Sequence, residues 1–188
     1  MRWPRKLALV GLVTLVLGMT ATLLISRADG PVFILAGGPL ESGERVPLEA
    51  INWTDLNRLH ELEMELVGEE TSLTLWFSVE DNVPYVACDL DCVGGLLDRW
   101  PQQVAKDDRV AVRIDGRLAE GRLIHVPHGS DEYKRVRAGR NLKYAGGDGG
   151  RAAAETAAHG TVVEVGEILT GRASREEPGD RLYRIAPR

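Results

Sequence analysis

Residues 109–126, RVAVRIDGRLAEGRLIHV, set the tightest limit on the fold. Val110, Val112 and Ile114 alternate with Arg109, Arg113 and Asp115. Strict alternation over this length is the period of a strand with one buried face. Asp115-Gly116 between two such runs is a strong short-range signal for a hairpin. A chain holding this unit needs a β-rich core to receive the valine face.

The rest of the sequence supplies more strands of the same kind. Residues 71–80, TSLTLWFSVE, place Leu73, Leu75, Phe77 and Val79 on one face and Ser72, Thr74, Trp76 and Ser78 on the other. Glu80-Asp81-Asn82 makes the turn, and residues 83–87 return. Residues 59–66, LHELEMEL, alternate apolar and acidic. They read as a half-buried strand, with a helix, favoured by the propensity of Leu, Glu and Met, as the alternative. Residues 31–38, PVFILAGG, read as a short strand closed by two glycines. Residues 180–188, DRLYRIAPR, read as a closing strand.

Helices are few. INWTDLNRL predicts a short helix capped by Asn52 or Thr54, and residues 130–145 predict a longer one capped by Ser130. Residues 88–108 form an irregular crossover containing Arg99 and Trp100. Residues 145–160, with GGDGG, read as a flexible segment, and TVVEVGEIL fits a strand or a helix start. Mostly antiparallel strands with few helices imply a small barrel with helical decorations.

The first 27 residues are of another kind. Residues 7–25 are an uncharged apolar run, long enough at about 1.5 Å per residue to cross a bilayer core as a helix. Arg2, Arg5 and Lys6 precede it and Arg27 alone follows closely, which places the N-terminus in the cytoplasm and the bulk of the chain outside. No good small-x-small site follows the run, so it reads as an uncleaved signal anchor rather than a cleaved signal peptide. The expected organisation is a basic flank and anchor over residues 1–27 and a barrel domain over residues 28–188.

Charge narrows the partners. The chain has 23 lysines and arginines and 28 acids. Four of the basic residues lie in residues 1–27, where no acid does, so the remainder carries a net −9. Such a surface repels phosphate polymers, and nucleic acid is not an expected partner.

Cys88 and Cys92 are the two cysteines. In an exported domain they fit a local disulfide, free thiols or, less well, a redox or metal pair. His125 and His128 offer at most one ligand to a heme or metal. Arg109, Arg113, Arg117 and Arg122 along the hairpin read as a solvated face with cross-strand pairs to Glu120 and Asp115, or as phosphate contacts.

Five stretches together resemble a known family: LAGGPLESGE, INWTDL with LEMEL, TLWFSVEDNVPYV, DRWPQQVAKDDRVAVRIDGRLAEGRLIHV, and LKYA after a helix. The chain is similar to the pyridoxamine-5′-phosphate-oxidase-like split-barrel family, and among its branches to the nitroreductase-like ones. The likeness covers roughly residues 33–145 and the closing RLYRIAPR. It implies a six-stranded split β-barrel with a few helices, usually a homodimer. It further implies FMN or a deazaflavin at the dimer interface, with heme in a minority of members. By position in the family pattern, Arg99 would meet the cofactor phosphate with Trp100 beside it, and Ser72, Thr74 and Trp76 would form the cofactor wall. The resemblance thus implies a membrane-anchored flavin- or deazaflavin-binding oxidoreductase-like protein. A cofactor-free split barrel acting as a binding or scaffold module in the cell envelope is the alternative, and a heme-binding barrel the third.

Overall fold

The structure, a computed structural model, describes residues 11–18, 20, 24, 27–32, 35–88, 100–145 and 181–188. In chain order the elements are β1 (Glu44–Arg45), α1 (Trp53–Leu56), β2 (Glu61–Leu66), β3 (Thr71–Glu80), β4 (Val83–Cys88), α2 (Trp100–Val104), β5 (Arg109–Ile114), β6 (Arg117–Val126), α3 (Asp131–Ala145) and β7 (Arg181–Ala186). The strands pair in the order β6-β5-β2-β3-β4-β7, and β7 pairs back to β6. This closes a six-stranded antiparallel barrel, and β1 adds to β6 as a short parallel extension. Closure leaves none of the six strands with a free edge along its whole length, the usual liability of a small sheet.

The alternation read from sequence is the alternation observed. Leu62, Met64, Leu66, Phe77, Val110, Val112 and Ile114 are buried together in one core with Val86, Ala119, Leu123 and Ile185. Residues 59–66 are therefore strand and not helix. Their helix propensity, a few tenths of a kcal/mol per residue, is overridden by burial of an alternating face at about 1.5–3 kcal/mol per large apolar side chain. The Asp115-Gly116 turn forms as expected, with both residues at positive φ, 51° and 73°. Glycine meets that demand without the steric cost a Cβ brings.

Two indoles plug the core. Trp53 on α1 meets Phe77 edge-on at 6.3 Å and donates its indole N–H to the Leu48 carbonyl. Trp100 on α2 lies 5.0 Å from the Tyr183 ring. The N-cap of α1 is Asn52, whose side chain accepts from the Asp55 N–H. The Ser130 hydroxyl accepts from the Tyr133 N–H at the start of α3.

β3 is longer than the strand beside it. It pairs with β2 from Thr71 to Trp76 but with β4 only from Phe77 to Glu80. The first half of β3 thus runs beyond β4, and its outward face is left to other parts of the chain.

Around residues 31–38 the described residues show two isolated bridges, Val32 with Leu35 and Gly37 with Ser72, in place of a regular strand. Gly37 has a steric reason to be glycine: a Cβ there would lie 1.8 Å from the Gly30 carbonyl oxygen.

Residues 11–18 are helical, and Leu12, Val13, Leu15, Val16 and Leu17 are all exposed. Among the described residues no helix is long and apolar enough to cross a membrane, and much of the 7–25 run lies outside them. Also outside the described residues lie Arg99, Cys92, residues 146–160 and the TVVEVGEIL stretch. Cys88, in the core at the end of β4, is disulfide-bonded, and Cys92 is the chain's one other cysteine.

Candidate functional site

The outward face of the barrel wall carries the polar residues of the alternating strands. Two additions cover it. From one end, residues 28–32 and 35–42 fold down as a buckle. From the other, α3 packs along β3 and over β4 and β7. The open stretch between them holds Trp76.

The buckle is tied by charge. The Arg113 side chain on β5 is only 14 % exposed. It forms ion pairs with Glu63 on β2 and with Asp29, whose Oδ1 lies 2.7 Å from Nη1. It also donates to the Ser42 hydroxyl and the Asp29 carbonyl. Asp29 in turn accepts from the Glu41 and Ser42 backbone N–H groups. Hydrogen bonding from Ser42, with the Glu41 N–H and Arg113, holds its carboxyl well below the usual carboxylate range. The buried Glu65 carboxylate accepts from the Leu40 N–H at 2.9 Å, a second pin on the same segment.

Helix α3 is held by a different set of contacts. Glu132 accepts from the Tyr85 hydroxyl at 3.0 Å and from Arg184 at 3.0 Å. Burial, followed by the bond to Glu132, pushes the Tyr85 phenol up to about 12. At the other end of α3 the Lys143 ammonium donates to the Phe77 carbonyl at 2.7 Å and to Asn57, and lies 4.0 Å from the Phe77 ring centre. Burial, and then the Arg140 charge, bring its pKa down to about 8. The Tyr144 hydroxyl donates toward the carbonyls of His60 and Phe77. The chain end of α3 is thereby fixed at the end of the β2–β3 ladder.

Trp76 is the focus of the open stretch. It is 42 % exposed. One face of its indole stacks on Tyr144, with ring centres 5.0 Å apart and planes 11° from parallel. Its N–H donates to Glu61 across the strand pair at 3.2 Å. These two contacts set the plane of the ring. Beside it is a groove of about 1020 Å³, whose lining includes Pro31, Leu59, Glu61, Thr74, Trp76 and Asp115. That volume reaches the upper end of the usual range for small-molecule and cofactor sites.

The residues singled out from sequence separate here. Thr74 and Trp76 share the groove. Ser72, on the same strand face, is 0 % exposed beneath the buckle, and its hydroxyl donates to the Gly38 carbonyl at 2.6 Å. Trp100 is 1 % exposed inside the barrel. Neither of these two side chains is at the groove surface. Arg99 lies outside the described residues. The hairpin arginines have acid partners: Arg109 with Asp107, Arg122 with Asp108, and Arg113 as above. The cross-strand partners read from sequence, Glu120 and Asp115, are not the ones used for Arg109, Arg113 and Arg122. The Asp107-Asp108 pair just before β5 lies nearer to Arg109 and Arg122. His125 and His128 stand outside the groove lining, against Tyr183 and Tyr133. Among the described residues no group of three or more His, Cys, Asp and Glu could hold a metal.

Sequence reasoning missed Glu61 and Asp115 as groove residues and Tyr144 as the ring stacked on Trp76. Glu61 had a signal, since it stands opposite Trp76 in the β2–β3 register. Tyr144 had none, because its place depends on how α3 docks.

No family model matches the chain, and no curated protein does. Two solved structures are similar to it at low identity. A FAD-binding protein from Mesorhizobium loti is 12 % identical, with 73 % of this chain and 87 % of that one covered and a TM-score of 0.40. The heme storage protein HutZ from Vibrio cholerae is 11 % identical, with 76 % and 92 % covered and a TM-score of 0.42.

Proposed function

We propose that this chain is a membrane-anchored split-barrel protein that binds a flavin or deazaflavin on the outside of its barrel and works as an oxidoreductase. One observation carries the reading. Trp76 is a fixed aromatic platform, stacked on one face and open beside a groove large enough for a fused-ring cofactor. Thr74 supplies a hydroxyl on the same wall. An exposed indole on a strand is also what a homodimer of this family would cover, and the cofactor would then lie between two copies. The exposed apolar helix before the buckle supports the N-in, C-out anchor.

The binding test is an absorbance spectrum of the purified protein and titration with FMN, a deazaflavin and heme. The expected result is saturable binding of a flavin-type cofactor. Trp76→Ala should abolish it. Arg99→Ala should weaken it about ten- to a hundredfold, the worth of one hydrogen bond to a charged group. Light scattering should give a dimer. Binding of heme alone would move the assignment to the heme-binding class.

One observation favours the second reading, a barrel that binds its partner without a cofactor. Among the described residues Arg113 is the one arginine or lysine lining the groove, and Glu63 and Asp29 already neutralise it. The described lining therefore offers no free cation to a cofactor phosphate. A protein that binds none of the three cofactors belongs to this second class.

A further inference from the structure

The charge of the groove specifies its ligand more narrowly than its shape does. Among the described residues five titratable ones line it: His60, Glu61, Glu63, Arg113 and Asp115. Arg113 spends its charge on Glu63 and on Asp29 behind it. Among the described residues no cation pairs with Glu61 or Asp115. Arg140 and Lys143 do not line the groove; they approach the Tyr144 ring, at 5.1 and 5.3 Å.

Both carboxylates line the groove. β2 and β5 are antiparallel, with Glu63 opposite Arg113. Continuing that register by two residues brings Glu61 alongside Asp115. Asp115 sits at the tip of the β5–β6 turn at positive φ, so its position is set by a tight two-residue loop. Glu61 is held by the indole N–H of Trp76. The groove thus has a fixed aromatic face with a carboxylate bonded to its edge and a second carboxylate on the same wall. An aromatic face attracts a cation through its quadrupole, and nearby carboxylates add to that attraction. A phosphate or carboxylate on a ligand is repelled by these two carboxylates.

We infer that the Trp76 groove takes a positively charged organic ligand, with its cation over the open indole face and its charge met by Glu61 and Asp115. The inference names the ligand class of the site proposed above. It rests on the groove being the site, and a flavin and the cation would compete for the one open face of Trp76.

Three isosteric probes test it on the full-length protein in detergent: 1-methylnicotinamide, which is cationic, nicotinamide, which is neutral, and nicotinate, which is anionic. Binding is read by calorimetry and by quenching of the Trp76 fluorescence. The cation is expected to bind at least about tenfold more tightly than the neutral ring, and the anion more weakly than either. Glu61→Gln and Asp115→Asn should each reduce the cation's advantage about three- to fivefold, because a partly exposed charge contributes up to about 1 kcal/mol. Glu61→Gln keeps an acceptor for the indole N–H, so it removes charge and leaves the ring plane in place. Equal binding of the cation and the neutral ring, tighter binding of the anion, or no binding by any probe at millimolar concentration overturns the inference. A parallel FMN titration separates the two claims: cation binding without FMN binding removes the flavin reading and leaves this one standing, and the reverse result removes this one alone.

Discussion

The inside and the outside of the same barrel wall are built by different rules. Inside, between β2, β3 and β5, the residues are Leu, Met, Phe, Val and Ile, buried or partly buried and packed against one another. Outside, along the same strands, Glu61, Glu63, Thr74, Trp76 and Arg113 meet whatever the rest of the chain brings. The inside is fixed by alternation, since every second residue must leave water. The outside is fixed by two docking events, the buckle of residues 28–32 and 35–42 at one end and α3 at the other, and the groove is the gap between them. The two tryptophans that the family resemblance sets near a cofactor, Trp100 beside Arg99 and Trp76 in the wall, lie one on each side of this division. Trp100 fills the interior, and Trp76 stands on the outer wall.

The sharpest test of that division is the pair of alanine substitutions. Trp100→Ala should lower the unfolding free energy by about 3–5 kcal/mol, the usual loss for a large aromatic in a core. Trp76→Ala should cost at most about 1.5 kcal/mol, the worth of an aromatic stack. Chemical denaturation of both variants measures the contrast. Similar losses in the two would show that the outer wall is core in solution.

The buckle comes next. Arg113→Met should destabilise by about 1–3 kcal/mol, below the loss for a fully buried pair because Asp29 and Glu63 are about one-third exposed. Arg113→Lys should recover little of it, because an ammonium cannot reach Glu63, Asp29 and Ser42 from one planar fork. Limited proteolysis should then cut within residues 28–42. Resistance equal to wild type would show that the buckle is held by Glu65 and the Gly37–Ser72 bridge instead.

Acid should reach the same segment by another route. The Asp29 carboxyl titrates far below its unfolded value, so its contribution is complete at neutral pH. It begins to fall as pH drops through about 4, the unfolded value, and is gone once pH has passed the folded one. The Tm difference between wild type and Asp29→Asn should therefore be constant from pH 7 to pH 5 and shrink below pH 4. A gap that stays constant down to pH 2 would remove Asp29 from the clamp.

The smallest effect belongs to the α3 end. Lys143 has a folded pKa of about 8, below that of a free lysine, so the unfolded chain binds the extra proton between the two values. Stability contributed at this site should rise with pH above 8 and level off near the unfolded value. Lys143→Met should abolish that rise, as read by Tm between pH 7 and pH 10. An unchanged slope in the variant would place the titration elsewhere.

The sequence by itself determined the barrel wall. Period-two patterning named the inward residues of β2, β3 and β5, and Asp115-Gly116 set the turn. Asn52 and Ser130 marked where helices begin. These are local rules, complete within about ten residues. It also put Thr74 and Trp76 on one polar face. What it could not decide is which part of that face stays open. Ser72 and Trp76 are four residues apart with the same orientation. One is sealed because Gly37 and Gly38 lie on it, and the other is open because α3 ends at Tyr144. Both outcomes come from segments roughly 35 to 70 residues away along the chain. Only tertiary docking, settled by the Asp29–Arg113–Glu63 cluster and by the Lys143 and Tyr144 bonds, places them there, because a side chain's exposure depends on what packs over it and not on its own strand.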